Sequence, residues 1–262
     1  VERVDAVFPV LHGMNGEDGT IQGLLTIAGI PFVGCNTEAS AVCMDKAVTN
    51  ALADFYGIPQ AKWTAFDRHA YAADKALLLK TAADKLGFPI FVKPANTGSS
   101  VGVTKVCSFD ELAPACEKAF EFDKKIVLEE GIDGVEIECA VLGNEEPIAS
   151  VVGEIVPCND FYDYDAKYLA GDSELHIPAR LPEEKLEAVR AAAVNAFRSF
   201  GCSGLTRVDF FVRRSDGEIL LNEPNTIPGF TEISMYPKLF AASGIPYPEL
   251  LDKLINYAIE RQ

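Results

Sequence analysis

Arg207, Asp209, Glu223 and Asn225 are the residues whose types and spacing most directly suggest chemistry. They lie on two apolar segments joined through Ser215-Asp216-Gly217. A three-residue loop ending in a left-handed glycine is a common hairpin connection. With Asp216 at its centre, Asp209 lies opposite Glu223, and Arg207 opposite Asn225. Strand side chains alternate, so all four share one face. Two carboxylates directly opposite repel each other, and a divalent cation between them removes that repulsion. Oxygen donors from Asp, Glu and Asn suit magnesium or manganese and not zinc. The same spacing also fits an exposed sheet end neutralised by Arg207.

Other positions carry weaker signals. Lys93 ends the apolar run Ile90-Phe91-Val92, where an ammonium must snorkel out or meet an anion. The small-residue loop that follows, through Gly98, Ser99 and Ser100, can turn backbone N–H groups toward phosphate or form a plain turn. Glu129 and Glu136 end or flank strands and can accept from a ribose or an adenine amine, or stay solvated. His12-Gly13 with Gly16-Glu17-Asp18-Gly19 follows the first apolar run and can present backbone to a ligand. The loop from Asn225 to Phe230 can face an oxyanion. A polar, tyrosine-rich loop over residues 159–172 has the character of a lid or of a packed surface loop.

The elements that must position these residues alternate along the chain. The pattern predicts a strand over 5–11, a helix over 19–28 and a short strand over 31–33. One helix is expected from a Ser40 cap to Tyr56, with Gly57 past its end. A strand over 62–66 and one helix to Leu86 follow. Strands are expected over 90–93, 101–106, 126–129, 136–142 and 154–156, with a helix over 108–120. A long helix runs from near Pro182 to near Phe200, then comes the hairpin, and a terminal helix begins at Pro248. The fold class is α+β, or mixed α/β. The chain opens almost directly in a strand leading to a glycine loop, so its N-terminal α/β unit is expected to be partial.

Bulk properties limit the partners. A formal net charge of −16 disfavours nucleic acid and anionic membranes. No apolar run reaches the roughly 18 to 20 residues of a membrane span, and the first residues do not read as a signal peptide. The cysteines are odd in number, at 7, and form no C-x-x-C pair, as in reduced thiols of a cytoplasmic protein.

Taken in order, six groups of residues resemble the D-alanine:D-alanine ligases. They are His12-Gly13 with Gly16-Glu17-Asp18-Gly19; Met44-Asp45-Lys46; Val92-Lys93-Pro94 with Gly98-Ser99-Ser100-Val101-Gly102; Tyr162-Asp163-Tyr164 with Ala166-Lys167-Tyr168; Arg207-Val208-Asp209; and Asn222-Glu223-Pro224-Asn225-Thr226 with Pro228-Gly229-Phe230-Thr231. The resemblance runs from Asp5 to the C-terminus. It implies an ATP-grasp fold divided into a partial N-terminal domain (1–34), a central domain (35–132) and a C-terminal domain (133–262). ATP is then expected between the last two.

The same resemblance implies roles. Lys46, Lys93, Gly98, Ser100 and Lys167 would bind the phosphates of ATP, and Glu129 and Glu136 the adenosine. Asp209, Glu223 and Asn225 would hold two magnesium or manganese ions. Arg207, Ser99, Tyr168, Gly229 and His12 form the expected catalytic set, and Ser234, Met235 and Glu17 the substrate-binding set. The implied reaction converts D-alanine to an acyl phosphate that a second D-alanine attacks, for peptidoglycan precursor synthesis. The implied protein is a homodimer when full length and cytoplasmic, with no nucleic-acid or membrane partner. Tyr168 and Met235 fit D-alanine as acceptor. The alternatives are a D-alanine:D-serine or D-alanine:D-lactate ligase, another ATP-grasp ligase, or a truncated nucleotide-binding chain without ligase activity. Family members carry a glutamate ahead of Val1 that receives the first ammonium. Without it, this chain is expected to bind magnesium-ATP and make little dipeptide.

Overall fold

A computed structural model describes residues 4–156, 174–231 and 233–261. Lys167, Tyr168 and the rest of the tyrosine-rich loop lie outside the described residues. Two antiparallel sheets organise the chain. The first has strands β1 (Trp63–Asp67), β2 (Ile90–Pro94), β3 (Thr104–Val106) and β4 (Lys125–Glu130) in the order β1-β4-β2-β3. Alternation on β2 buries Ile90 and Val92 and leaves Phe91 and Lys93 half-buried on the other face. The buried face packs on α5 (Lys75–Leu86) and α6 (Phe109–Ala119) through Leu79, Leu86, Leu112 and Ala119.

The second sheet contains β5 (Gly134–Gly143), β6 (Ile148–Val156), β7 (Glu174–His176), β8 (Gly204–Arg213) and β9 (Ile219–Asn225), in the order β7-β6-β5-β8-β9. One face, with Ile137, Cys139, Val208 and Phe210, packs on α7 (Glu183–Ser199) through Val189, Ala193 and Phe197. Each fully buried Val, Ile or Phe side chain here contributes about 1.5 to 3 kcal/mol. The other face carries Glu136, Glu138, Arg207 and Asp209, whose ladder positions are Glu138↔Asp209 and Ala140↔Arg207. Toward one end this face is apolar and is covered by α8 (Met235–Ala242) and α9 (Tyr247–Glu260), with Tyr236, Phe240 and Leu254 in the contact.

Several elements depart from the sequence expectation. Residues 5–11 form no strand: Val7 makes one parallel bridge to Phe32. Pro9 lacks a donor, and the Val10 and Leu11 amides bond carbonyls two residues back, as in γ-turns. The single helix expected over 40–56 is two, α2 (Thr37–Met44) and α3 (Lys46–Tyr56). Asn36 caps α2 by accepting from the Ala39 amide. Asp45 is extended (φ −86°, ψ 99°), and its carboxylate accepts from the Ala47 and Val48 amides, ending one helix and starting the next. Lys125 of β4 ion-pairs with Asp45, so the break is anchored to the first sheet. Cys43 and Ala53 of these two helices pack in the core of the second sheet. Likewise Asp74 divides residues 68–86 into α4 (Arg68–Ala73) and α5. Helix α8 was not expected at all.

The hairpin holds the expected pairs Arg207↔Asn225 and Asp209↔Glu223, but by a different route. Nearer the turn, Phe210 pairs with Leu221 and Val212 with Ile219, one residue off a continuous register. The turn spans residues 214–217, with Gly217 left-handed at φ 71°. A bulge at Asn222 cancels the offset and returns Glu223 to its place opposite Asp209.

Candidate active site

Two cavities meet: one lies between the two sheets, and the other lies against the second sheet, bounded by the N-terminal segment and the loop that follows β9. The smaller, about 410 Å³, is walled by Phe91, Val135, Phe211 and Leu221, with Lys93, Ser100, Glu129 and Glu136 among its polar groups. The larger, about 670 Å³, is bounded by His12, Glu17, Gly98, Glu138, Arg207 and Asn225 on one side. Gly229, Ser234 and Met235 bound it on another. Lys46, Thr97, Ser99, Ile155 and Glu223 line both. Two charged groups, Lys46 and Glu223, and two hydroxyls, of Thr97 and Ser99, therefore stand where the smaller cavity meets the larger.

Local structure explains how each group arrives. The Asp45 break makes Lys46 the first residue of α3. Its amide donates to the Ala95 carbonyl at 2.9 Å. Its ammonium donates to the Thr97 carbonyl at 2.9 Å and lies 3.6 Å from Glu223. Ser99 and Ser100 are both left-handed, at φ 52° and 59°. For residues other than glycine this costs about 1 to 2 kcal/mol each. Thr97 holds the loop by donating its hydroxyl to the Val101 carbonyl at 3.0 Å. Phe230 anchors the loop opposite, with its ring 4.9 Å from Phe8 and 5.5 Å from Tyr247. Within it the Ser234 hydroxyl accepts from the Thr231 amide at 3.0 Å. A Cβ at Gly229 would stand 2.9 Å from the Ser234 hydroxyl oxygen, so a side chain there would displace that hydroxyl.

The charged groups form two buried networks. Glu129 accepts from Lys93 at 2.5 Å and from Asn50 at 3.0 Å. Burial alone would raise the Glu129 carboxyl, but Lys93 and Asn50 together hold it below the usual carboxylate range. Burial would lower the Lys93 ammonium, but Glu129 holds it above its ordinary value. In the second network Arg207 forks onto Asp209 at 2.8 and 2.7 Å and stands 3.1 Å from Glu138. Asn225 donates to Asp209 at 2.9 Å. Burial works against the Arg207 charge, yet the facing Asp209 and Glu138 carboxylates hold its pKa well above the ordinary arginine value. Glu17 accepts from the Gly13 amide at 2.6 Å, and burial pushes its carboxyl up.

A pH dependence follows from the first network. The unfolded carboxyl titrates near about 4.3. A depressed folded value adds stability that is present above that pH and lost as pH falls through the folded value. For Lys93 the raised value adds stability present below about 10.4 and lost as pH rises through the folded value. In urea titrations the stability gap between the protein and Glu129→Gln should therefore be constant near neutrality and close below about pH 4. A gap unchanged at pH 3 would mean that Lys93 does not stabilise the Glu129 charge.

Of the residues singled out from sequence, the structure brings Lys46, Ser99 and Glu223 to the junction. Asp209 lines neither cavity: it is 2% exposed, behind Arg207. Arg207 and Asn225 both donate to the Asp209 carboxylate. With Glu223 opposite and Asn225 beside it, the donor set is oxygen-only, which fits magnesium. Among the described residues no group of three or more His, Cys, Asp or Glu side chains forms a cage for a metal. Sequence reasoning missed Glu138 and Asn50. Glu138 stands two residues after Glu136 in an otherwise apolar strand, so alternation alone places both on the cleft face.

A family model described as D-ala D-ala ligase C-terminus matches residues 52–256, and one described as D-ala D-ala ligase N-terminus matches residues 1–35. The chain is 54% identical over 260 residues to the D-alanine–D-alanine ligase of Acetivibrio thermocellus, covering 99% of this chain and 69% of that one. It is 55% identical over 260 residues to that of Ruminiclostridium cellulolyticum, covering 98% and 69%. Among solved structures it is similar to the D-alanine-D-alanine ligase from Coxiella burnetii, with TM-score 0.86, 40% identity and coverage of 99% and 70%. It is also similar to the VanG D-Ala:D-Ser ligase from Enterococcus faecalis, with TM-score 0.89, 45% identity and coverage of 98% and 74%.

Proposed function

Because the chain belongs to the D-alanine–D-alanine ligase family, with its ATP-grasp fold, we propose that it joins two D-alanine molecules at the expense of ATP. The product serves as a peptidoglycan precursor. The observation that carries this reading beyond membership is the junction of the two cavities at Lys46, Ser99 and Glu223. ATP occupies the smaller cavity, its base against Val135, Phe211 and Leu221 and its adenosine near Glu129 and Glu136. Lys46, Lys93, Gly98, Ser100 and Lys167 hold the phosphates. The amino acids occupy the larger cavity, near Glu17, Ser234 and Met235.

Phosphoryl transfer depends on positioning and on charge around the transferring group. Lys46 stands where the two cavities join and supplies one such charge. The carboxylate of the first D-alanine takes the phosphoryl group there, giving an acyl phosphate, and the amine of the second attacks the acyl carbon. Arg207 and the Gly229 backbone stabilise the resulting oxyanion before phosphate leaves. Ser99, Tyr168 and His12 orient the reacting groups. Asp209, Glu223 and Asn225 hold magnesium or manganese, two ions in this reading, which neutralise phosphate charge when bound. A cytoplasmic location and a homodimer belong to the same reading and rest on membership.

The reaction is tested by detecting ADP and the ligated product, a dipeptide with D-alanine or D-serine and an ester-linked depsipeptide with D-lactate. D-alanine should be preferred, because Met235 is an apolar side chain packed over Gly153, offering no partner to a hydroxyl. An apolar pocket rejects an added hydroxyl by only about a hundredfold, so slow D-serine use is compatible with the reading. D-serine preferred at equal concentration would favour the D-serine ligase instead. The metal site is tested separately. Glu223→Gln should weaken the magnesium-dependent part of ATP binding and leave the fold intact. ATP titrations with and without magnesium that match the unsubstituted protein would remove Glu223 from the site.

A further inference from the structure

Among the described residues, the lysine and arginine side chains on the wall of the larger cavity are Lys46, Arg207 and Lys238. Two are committed. Lys46 serves the Thr97 carbonyl and Glu223, and Arg207 serves Asp209 and Glu138. Lys238 is half-buried, and among the described residues its ammonium has no ion pair or side-chain hydrogen bond. It projects from α8, whose N-cap is Ser234 and whose first residue is Met235. The Lys238 amide donates to the Ser234 carbonyl at 3.4 Å, one helical turn on, so Ser234 and Lys238 share a face. The core-facing side of the same helix is occupied by Tyr236, Leu239 and Phe240, all fully buried.

The substrate must be reconciled with the charge of this cavity. An acceptor amino acid attacks through its amine and keeps its carboxylate, which stays ionised throughout. Glu17, Glu138 and Glu223 also line the cavity. Each repels an incoming carboxylate, and the cations beside Glu138 and Glu223 have, in the ligase reading, the oxyanion and the transferring phosphoryl group to meet. Lys238 is the described lysine or arginine on this wall with no carboxylate of its own to neutralise. Resting on the ligase reading above, we propose that Lys238 binds the acceptor's carboxylate and restricts the reaction to acceptors that carry one. A lysine acts as a point charge on a flexible stem, so arginine should retain the function and an isosteric apolar residue should not.

The test uses both binding and turnover. The dipeptide product places its C-terminal carboxylate where the acceptor's lies. D-alanyl-D-alanine and its C-terminal amide are titrated into the protein with ADP and magnesium present. The protein should bind the acid more tightly than the amide by about ten- to a hundredfold, the value of a hydrogen bond to a charged group. Lys238→Met should bind the two equally, and Lys238→Arg should keep most of the preference. In turnover, Lys238→Met should raise the acceptor KM for D-alanine by a similar factor with kcat little changed, and D-alaninamide should be used as well by the variant as by the parent. A Lys238→Met variant that still prefers the acid, or that loses kcat with KM unchanged, overturns the assignment. A parent protein that ligates D-alanine but binds acid and amide equally overturns it too, while leaving the ligase reading intact. A parent that neither binds the dipeptide nor consumes D-alanine overturns both.

Discussion

Arg207→Ala should lower turnover by about 10² to 10³, the usual cost of removing one donor to a developing oxyanion. The same substitution should also lower folding stability. Arg207 forks onto Asp209, which is 2% exposed, and stands 3.1 Å from Glu138, which is 3% exposed. Removing the cation leaves two carboxylates buried side by side on adjacent strands. Breaking a buried pair in this way typically costs about 3 to 5 kcal/mol. Steady-state kinetics and urea denaturation on the same preparation separate the two losses. Nearly full turnover would show that another donor meets the oxyanion. An unchanged denaturation midpoint would show that Asp209 and Glu138 find other partners.

Lys46→Met should lose a comparable factor in turnover, about 10² or more, with ATP affinity reduced as well. Its effect on stability should be small. Lys46 lies 3.6 Å from a Glu223 whose side chain is 29% exposed, and a pair of that kind is worth about 1 kcal/mol or less. The two substitutions therefore distinguish two kinds of cation. One neutralises the protein's own buried acids and is needed for folding as well as chemistry. The other is held at the junction of the cavities and is needed for chemistry alone. Equal losses of stability in both variants would refute that division. So would a Lys46→Met protein with unchanged ATP affinity and turnover.

Strand periodicity made part of this site legible. Residues 207, 209, 223 and 225 fall on one face when alternation is combined with a three-residue turn, but the turn spans residues 214–217 and only the bulge at Asn222 restores that pairing. Lys93 and Glu129 were each recognisable alone, but not as partners. Their contact exists because β4 inserts between β1 and β2, and strand order is not written in local pattern. The two-helix arrangement at Asp45 was hidden for a related reason. Residues 40–56 read as one helical stretch, and only the extended backbone at Asp45, tied to Lys125, divides it. Helix α8 escaped notice because it is 8 residues long and contains Pro237. A proline in the first turn is tolerated, since the N–H it lacks has no partner within the helix.

The bulge at Asn222 also determines where this protein can gain or lose residues over evolutionary time. Strand β8 runs in unbroken register with β5 from Gly134↔Arg213 to Gly143↔Gly204, so Arg207 and Asp209 are located independently of the turn. An insertion within residues 214–217 lengthens an exposed connection at a cost that rises slowly with loop length. A deletion of Asn222 itself removes only the extra residue: Leu221 stays opposite Phe210 and Glu223 opposite Asp209, each on its own face. A deletion at Leu220 or Pro224 is different, because it reverses the parity of the residues beside it and turns Asn222 or Asn225 into the apolar layer against α7. Length variation among functional homologues should therefore collect in the turn and at Asn222 and be absent from the rest of residues 219–225, and a single-residue deletion scan across the hairpin would show that boundary directly.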